Sequence, residues 1–384
     1  MCEAKSFLMK QINMVDLRTQ YHRIKDEIDT AIQDVLESTA FIKGPQVKEF
    51  SAHLSEYLNV KHVTPCGNGT DALQIALMAL DLKPGDEVIT PDFTFISTAE
   101  VIKLLGLKPV MVDVNRSDFN ISVEKLQEAI TENTKVIIPV HLFGQCANMD
   151  EINRIARENN LFVIEDAAQT LGADYYTGES YKKAGTLGDI GCTSFFPSKN
   201  LGCYGDGGAI YTNNDDYADK ISTIANHGSH VKYYHSRVGV NSRLDTLQAA
   251  ILDVKLQYLD QYNQARQKAA DFYNRELKGI DRITLPEVTG NSNHIYHQYT
   301  LKLEKGVNRD DFKAYLKSKG IPSMVYYPVP MHLQEAFNEG EYTEGDFPVS
   351  EELCRSVLSI PMHTELDEEQ LKYITETIKR YFPS

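Results

Sequence analysis

No two cysteines stand at CxxC spacing: Cys2, Cys66, Cys146, Cys192, Cys203 and Cys354 are scattered along the chain. That pattern suggests neither a zinc site nor a disulfide framework, so no metal is expected, and the thiols read as buried groups in a reducing compartment. No apolar run approaches the roughly 20 residues that span a bilayer. Met1-Cys2-Glu3-Ala4-Lys5 is followed by only a very short apolar stretch, too short for a secretion signal. Residues 1–8 therefore read as an extension before a start at Met9, and the expected location, resting on these missing signals, is cytoplasmic. Positive charge is also scarce. Lys and Arg number 39 against 54 Asp and Glu, for a net charge of −15 and a pI near 5.2. This balance excludes a general nucleic-acid or membrane-surface binder, and an anionic ligand would need a local basic pocket.

What is present is a soluble-type composition, and 384 residues suffice for about two domains. Residues 22–38 and 46–58 read as helices, separated by a turn at Phe41-Ile42-Lys43-Gly44-Pro45. From Asp71 a regular alternation begins. Helices at 71–80, 96–105, 123–130 and 149–159 are interleaved with apolar strands at 87–90, 109–114, 135–140 and 161–165. Alternating elements with nearly continuous apolar strands predict an α/β unit with a mostly parallel sheet covered on both faces. A long helical pattern follows at 245–276, and beyond it an alternating strand at 297–303 with helices at 310–318 and 367–381 predicts a smaller α+β unit. The expected division is an extension at 1–15, a large domain at 16–260 and a small domain at 261–384.

Ligands of open α/β sheets gather beyond the carboxyl ends of the strands. Three loops there carry chemistry. Gly67-Asn68-Gly69-Thr70-Asp71 opens an apolar helix and suits an anion, or is simply a helix cap by Thr70 or Asp71. Ile164-Glu165-Asp166-Ala167-Ala168-Gln169 ends an apolar strand with carboxylates, which suit a helix cap or a partner for a protonated pyridine nitrogen. Ser194-Phe195-Phe196-Pro197-Ser198-Lys199, followed by glycines at 202, 205, 207 and 208, sets one lysine between two strands. Alone, this window reads first as a surface lysine in a hairpin loop. A lysine walled by phenylalanines, however, loses its proton cheaply, as covalent amine chemistry requires. Phosphate loop, acid and lysine in this order favour a lysine-linked pyridoxal phosphate site.

These strings, with Pro91-Asp92-Phe93-Thr94-Phe95 and Asn241-Ser242-Arg243-Leu244-Asp245, resemble the DegT/StrS family of pyridoxal phosphate-dependent sugar aminotransferases from about Asp16 to the C-terminus. The resemblance implies fold type I, pyridoxal 5'-phosphate as cofactor, and a homodimer with active sites at the interface. By position it implies that Lys199 forms the Schiff base, Asp166 keeps the pyridine nitrogen protonated, Gln169 contacts the ring region and Phe95 (or, second, Phe93) stacks on the ring. Gly69, Thr70 and Ser194 would hold the phosphate, joined by Asn241 from the partner subunit. Arg243, also from the partner, would meet the substrate or the donor carboxylate, or else be a surface helix charge.

Within the family, Phe196–Lys199, Leu201–Asp206 and His235–Ala250 resemble enzymes that aminate C3 of UDP-2-acetamido-2-deoxy-3-oxo-glucuronate with L-glutamate for O-antigen synthesis. A uronate and a diphosphate need cations, and Lys43, Lys232, Arg237 and Arg243 are the candidates. Tyr326-Tyr327-Pro328 stands where many members have His-Tyr-Pro, while His332 fits the family pattern. Tyr326, Tyr327 and His332 are thus candidate substrate-side groups, with packing the other reading for the aromatic pair. Two alternatives stay open, another UDP- or dTDP-linked 3-keto or 4-keto deoxysugar and a non-catalytic nucleotide-sugar sensor; a third, a dehydratase of the same fold, falls. The presence of Lys199 argues against the dehydratase, whose members carry histidine there.

Overall fold

The computed structural model describes residues 11–337 and 340–382. The reading of residues 1–8 as an extension, the start at Met9 and the buried thiol expected of Cys2 lie outside the described residues. A seven-stranded sheet organises the larger unit: β1 (His62–Cys66), β2 (Glu87–Pro91), β3 (Lys108–Val112), β4 (Thr134–Ile137), β5 (Phe162–Asp166), β6 (Ile190–Ser194) and β7 (Gly208–Thr212), in the spatial order β1-β7-β6-β5-β4-β2-β3. Strands β2 to β6 pair in parallel, and β7 runs antiparallel to both β6 and β1. The sheet is thus mixed and mostly parallel, as its apolar strands require when helices cover both faces.

Register decides where the site lies. Gly208, the first residue of β7, pairs with Cys66 on one side and Ser194 on the other, while Asp166 pairs with Cys192. The carboxyl ends of β1, β5 and β6 therefore share one edge of the sheet. Helix α1 (Gly69–Ala79) leaves β1 at that edge, capped by the Asn68 side chain, which accepts from the Asp71 N–H at 2.8 Å. The cap is thus neither Thr70 nor Asp71. The β1–α1 loop packs so closely on the β6–β7 turn that a Cβ at Gly208 would stand 2.5 Å from the Asn68 carbonyl.

The long helical pattern at 245–276 is two helices, α2 (Thr246–Leu256) and α3 (Leu259–Leu277), broken at residues 257–258. Helix α3 passes from one core to another: Leu259 packs with Phe50, Phe195 and Leu252, whereas Ala270, Tyr273 and Leu277 pack with Tyr299, Phe312 and Ile374. The second core lies around a three-stranded antiparallel sheet, β8 (Ile283–Thr284), β9 (Tyr299–Leu303) and β10 (Val357–Ile360), covered by helices Arg309–Ser318 and Glu368–Tyr381. Ile12 is buried in this same core, so the residues just before the large unit are part of the C-terminal packing.

Candidate active site

Lys199 follows β6 in a turn closed by its own N–H on the Phe196 carbonyl at 2.8 Å. Gly202 completes the turn, where a Cβ would meet the Pro197 carbonyl oxygen at 2.3 Å. Lys199 is half-buried. Burial pushes its amine down to about 8, partly opposed by the Asp166 carboxylate.

Asp166, the last residue of β5, is 6% exposed and held at both oxygens. Oδ2 accepts from the Thr98 hydroxyl at 2.9 Å and Oδ1 from the Ala168 N–H at 3.2 Å. Thr98, fully buried on the helix Ser97–Leu104, was not singled out in the sequence. No local pattern marks it, because its partner lies 68 residues away. The Gln169 amide is committed at both ends: Oε1 accepts from the Phe143 N–H at 2.8 Å and Nε2 donates to the Tyr327 hydroxyl at 3.2 Å. It is therefore available to a neighbouring ring through its face.

The two phenylalanines of the β2 loop divide cleanly. Phe93 is buried among Phe119, Phe143 and Tyr327, whereas Phe95 is 54% exposed with its ring 6.2 Å from that of Tyr327. Only Phe95 has a face to offer. On the other side Gly69 abuts Ser194, and a Cβ at Gly69 would come within 2.7 Å of the serine Cβ. This brings the first turn of α1 and the Ser194 hydroxyl to one point, with Thr70 beside them.

The segment Asn241–Arg243 is tied to the same loop through Ser242, whose hydroxyl donates to Asp71 Oδ2 at 2.6 Å and accepts from the Gly67 N–H at 2.9 Å. Asn241 itself is exposed. Lys43 lies close enough to Arg243 that burial and the guanidinium together lower its amine pKa. Backbone pairing of Ile42 with Asp245 holds the two cations together. Arg237 and Lys232 belong to a projecting hairpin, Ser229–Val231 with Tyr234–His235, on which Val231, Tyr233, Tyr234 and Val238 are all more than half exposed. Its base is tight: at Gly228, with φ +70°, a Cβ would collide with the Arg237 carbonyl.

Tyr326 and Tyr327 are partly buried beside Phe95. His332 is not among these groups, which corrects the substrate-side role expected of it. It is 1% exposed, with Nδ1 at 2.8 Å from Asp92 Oδ2 and Nε2 at 3.4 Å from Glu351 Oε1. An imidazole between two buried carboxylates is spent on packing chemistry. A cavity of about 810 Å³ lies at the opposite edge of the sheet beside His62–Thr64. Lys61 and His62 there are both paired with Asp215, and the Lys61–Asp215 pair is exposed.

The family profile for DegT/DnrJ/EryC1/StrS aminotransferases matches residues 22–379. The chain belongs to this aminotransferase family. It is 47% identical over 373 residues to a "Pleiotropic regulatory protein" of Geobacillus stearothermophilus, with 97% of this chain and 98% of that protein covered. It is likewise 47% identical to the UDP-2-acetamido-2-deoxy-3-oxo-D-glucuronate aminotransferase of Pseudomonas aeruginosa, with 94% and 98% covered. The structure superposes on NtdA of Bacillus subtilis, solved with bound cofactor PMP, with a TM-score of 0.88 at 33% identity, covering 97% of this chain and 83% of that one. The fold is thus the α/β fold type I of this aminotransferase family, and the cofactor is pyridoxal phosphate. The residues present fit that group. One edge of the sheet offers a lysine of lowered pKa, a carboxylate held by two donors, an exposed aromatic face and a helix N-terminus that admits only glycine against Ser194.

Proposed function

We propose that this aminotransferase moves the amino group of L-glutamate to C3 of UDP-2-acetamido-2-deoxy-3-oxo-D-glucuronate, in the cytoplasm, for a surface polysaccharide such as O-antigen. The observation that carries the reading is the juxtaposition of Lys199 and Asp166 at neighbouring strand ends. The 47% identity to the Pseudomonas enzyme supports the choice of sugar.

Lys199 Nζ would hold the cofactor covalently and, once freed, carry a proton. With a pKa near 8 it is free amine in a useful fraction at neutral pH and can both take and return that proton. Asp166, fixed by Thr98 and the Ala168 N–H, would hold a ring N–H, and Phe95 would cover the ring face. The first turn at Gly69 and Thr70 with Ser194 would take the phosphate. Pyridoxal phosphate supplies the electron sink that makes loss of the donor's α-proton feasible. Arg243, Lys43 and Arg237 would meet carboxylate and diphosphate, and Tyr326 and Tyr327 would border the sugar. We place Asn241 and Arg243 in the site of a second subunit. The exposed hairpin with Tyr233 and Tyr234, an apolar surface that a monomer has no reason to display, supports a homodimer.

The name of the Geobacillus relative keeps a sensor reading in view. A sensor has no need of a desolvated lysine opposite a doubly held carboxylate. Absorption spectroscopy separates the readings: L-glutamate should bleach the band of the lysine-bound cofactor, and adding the 3-oxo-glucuronate nucleotide after removing glutamate should restore it. Bleaching without restoration would retain the aminotransferase and reject this sugar, bringing other UDP- and dTDP-linked 3-keto and 4-keto sugars forward. No bleaching by any amino acid would favour the sensor.

A further inference from the structure

Directly after Lys199, Asn200 is 4% exposed and bonded on every side by groups from distant parts of the chain. Its Nδ2 donates to Asn263 Oδ1 at 2.6 Å and to the Ile295 carbonyl at 3.4 Å, and its Oδ1 meets His297 Nδ1 at 3.2 Å. A backbone carbonyl can only accept, so Ile295 fixes which end of the Asn200 amide is nitrogen. The same logic fixes Asn263, whose Nδ2 donates to the Leu171 carbonyl at 3.3 Å. His297 must then carry its proton on Nδ1 and donate to Asn200. Arg266, 3% exposed and on the same face of α3, holds the adjoining backbone through the carbonyls of Tyr296 and His297 at 3.3 Å each and Met362 at 3.1 Å.

The chain of bonds therefore joins three things: the segment carrying Asp166 and Gln169, which ends at Leu171; the lysine turn; and the segment 295–297 that leads into β9. Helix α3 reaches them because Gly172, with φ +93°, leaves room where a Cβ would stand 2.5 Å from Asn263 Nδ2. Burying two amides and an imidazole is costly unless they are bonded in one consistent arrangement, and the two backbone carbonyls fix that arrangement, although Arg266 Nε beside them has no hydrogen-bond partner.

We propose that Asn200, oriented by Asn263 and His297, is a positioning residue that clamps the backbone of Lys199 and keeps water from its amine. The proposal rests on the reading of Lys199 as the cofactor lysine. A loosened turn admits water, and a solvated lysine recovers its ordinary, higher pKa. The charged and titratable groups around Lys199 are Asp166 from β5, which favours the ammonium, and His297, whose protonation is opposed by burial, Lys199 and Arg266. His297 is thus neutral and leaves burial as the dominant influence on the lysine.

The test is the rate at which full-length protein stripped of cofactor takes up pyridoxal phosphate covalently, measured against pH by absorbance. The wild-type rate should rise through a midpoint near 8. N200A and H297F should move the midpoint up by about one pH unit and slow loading at neutral pH about tenfold, while H297N, which keeps a donor at the Nδ1 position, should load like the wild type. Should N200A fail to fold, the two His297 variants decide by the same readout. Unchanged midpoints in folded N200A or H297F would overturn the inference. K199A keeps the two claims apart, because covalent loading that survives K199A would instead refute the assignment of the lysine.

Discussion

At the scale of single residues the account depends on how Asp166 and Lys199 are held. Lys199→Ala should abolish turnover and the absorption of lysine-bound cofactor; turnover near wild type would contradict its role. Thr98→Val keeps the shape of a buried residue but leaves Asp166 Oδ2 without its hydroxyl donor. It should lower stability by about 1–3 kcal/mol in urea unfolding and reduce kcat, since a loosened carboxylate holds a ring N–H less well. A variant unchanged in both would show the bond to be idle. That Lys199, Asp166 and the Gly67–Asp71 loop lie at strand ends was legible because each sits in a short string whose glycines and apolar flanks announce a strand end. Thr98, Asn200 and His297 were not, because their partners are 68 and 97 residues distant and only the fold brings them together. His332 was misread for the same reason: Asp92 and Glu351, which enclose it, cannot be inferred from its neighbours.

Elements show a different boundary of legibility. The helix Met149–Asn159 was legible to the residue, since its apolar positions recur cleanly between an Asn148 cap and Asn160. The break between α2 and α3 was not, because neither Gly nor Pro marks residues 257–258 and the pattern continues across them. Packing of loop on loop explains Gly208, where alanine would press on the Asn68 backbone rather than on a movable side chain. Gly208→Ala should cost about 1–3 kcal/mol and weaken cofactor retention on dialysis, and full stability with full retention would contradict the close packing. The contacts of His332 with Asp92 and Glu351 give a pH dependence. Burial alone would lower the His332 pKa, but the bond to Asp92 and the fields of Asp92 and Glu351 outweigh it and raise the value, while burial raises that of Asp92. The folded pair thus binds its proton more tightly than the unfolded chain. His332 therefore contributes stability that is fully present below its ordinary 6.5 and is lost as pH rises through its higher folded value. Denaturant unfolding should show wild type losing stability more steeply than His332→Gln as pH rises above 6.5; equal slopes would show that His332 does not gain a partner in Asp92.

For the whole molecule, the edge of the sheet where β1, β5 and β6 end follows from an alternation already visible in the sequence, but the second subunit does not. If Asn241 acts across a dimer interface, a random mixture of Lys199→Ala and Asn241→Ala chains, refolded together and assayed at limiting cofactor, should regain about one quarter of wild-type activity, because each mixed dimer has one intact site. No recovery would place Asn241 in the site of its own chain. The most direct measurement is to follow nitrogen itself. The enzyme is given L-glutamate labelled with heavy nitrogen together with UDP-2-acetamido-2-deoxy-3-oxo-D-glucuronate, and the nucleotide product is examined by mass spectrometry and NMR. The account predicts one labelled amino group at C3 of the sugar and 2-oxoglutarate released in equal amount; an unlabelled sugar alongside consumed glutamate would contradict it.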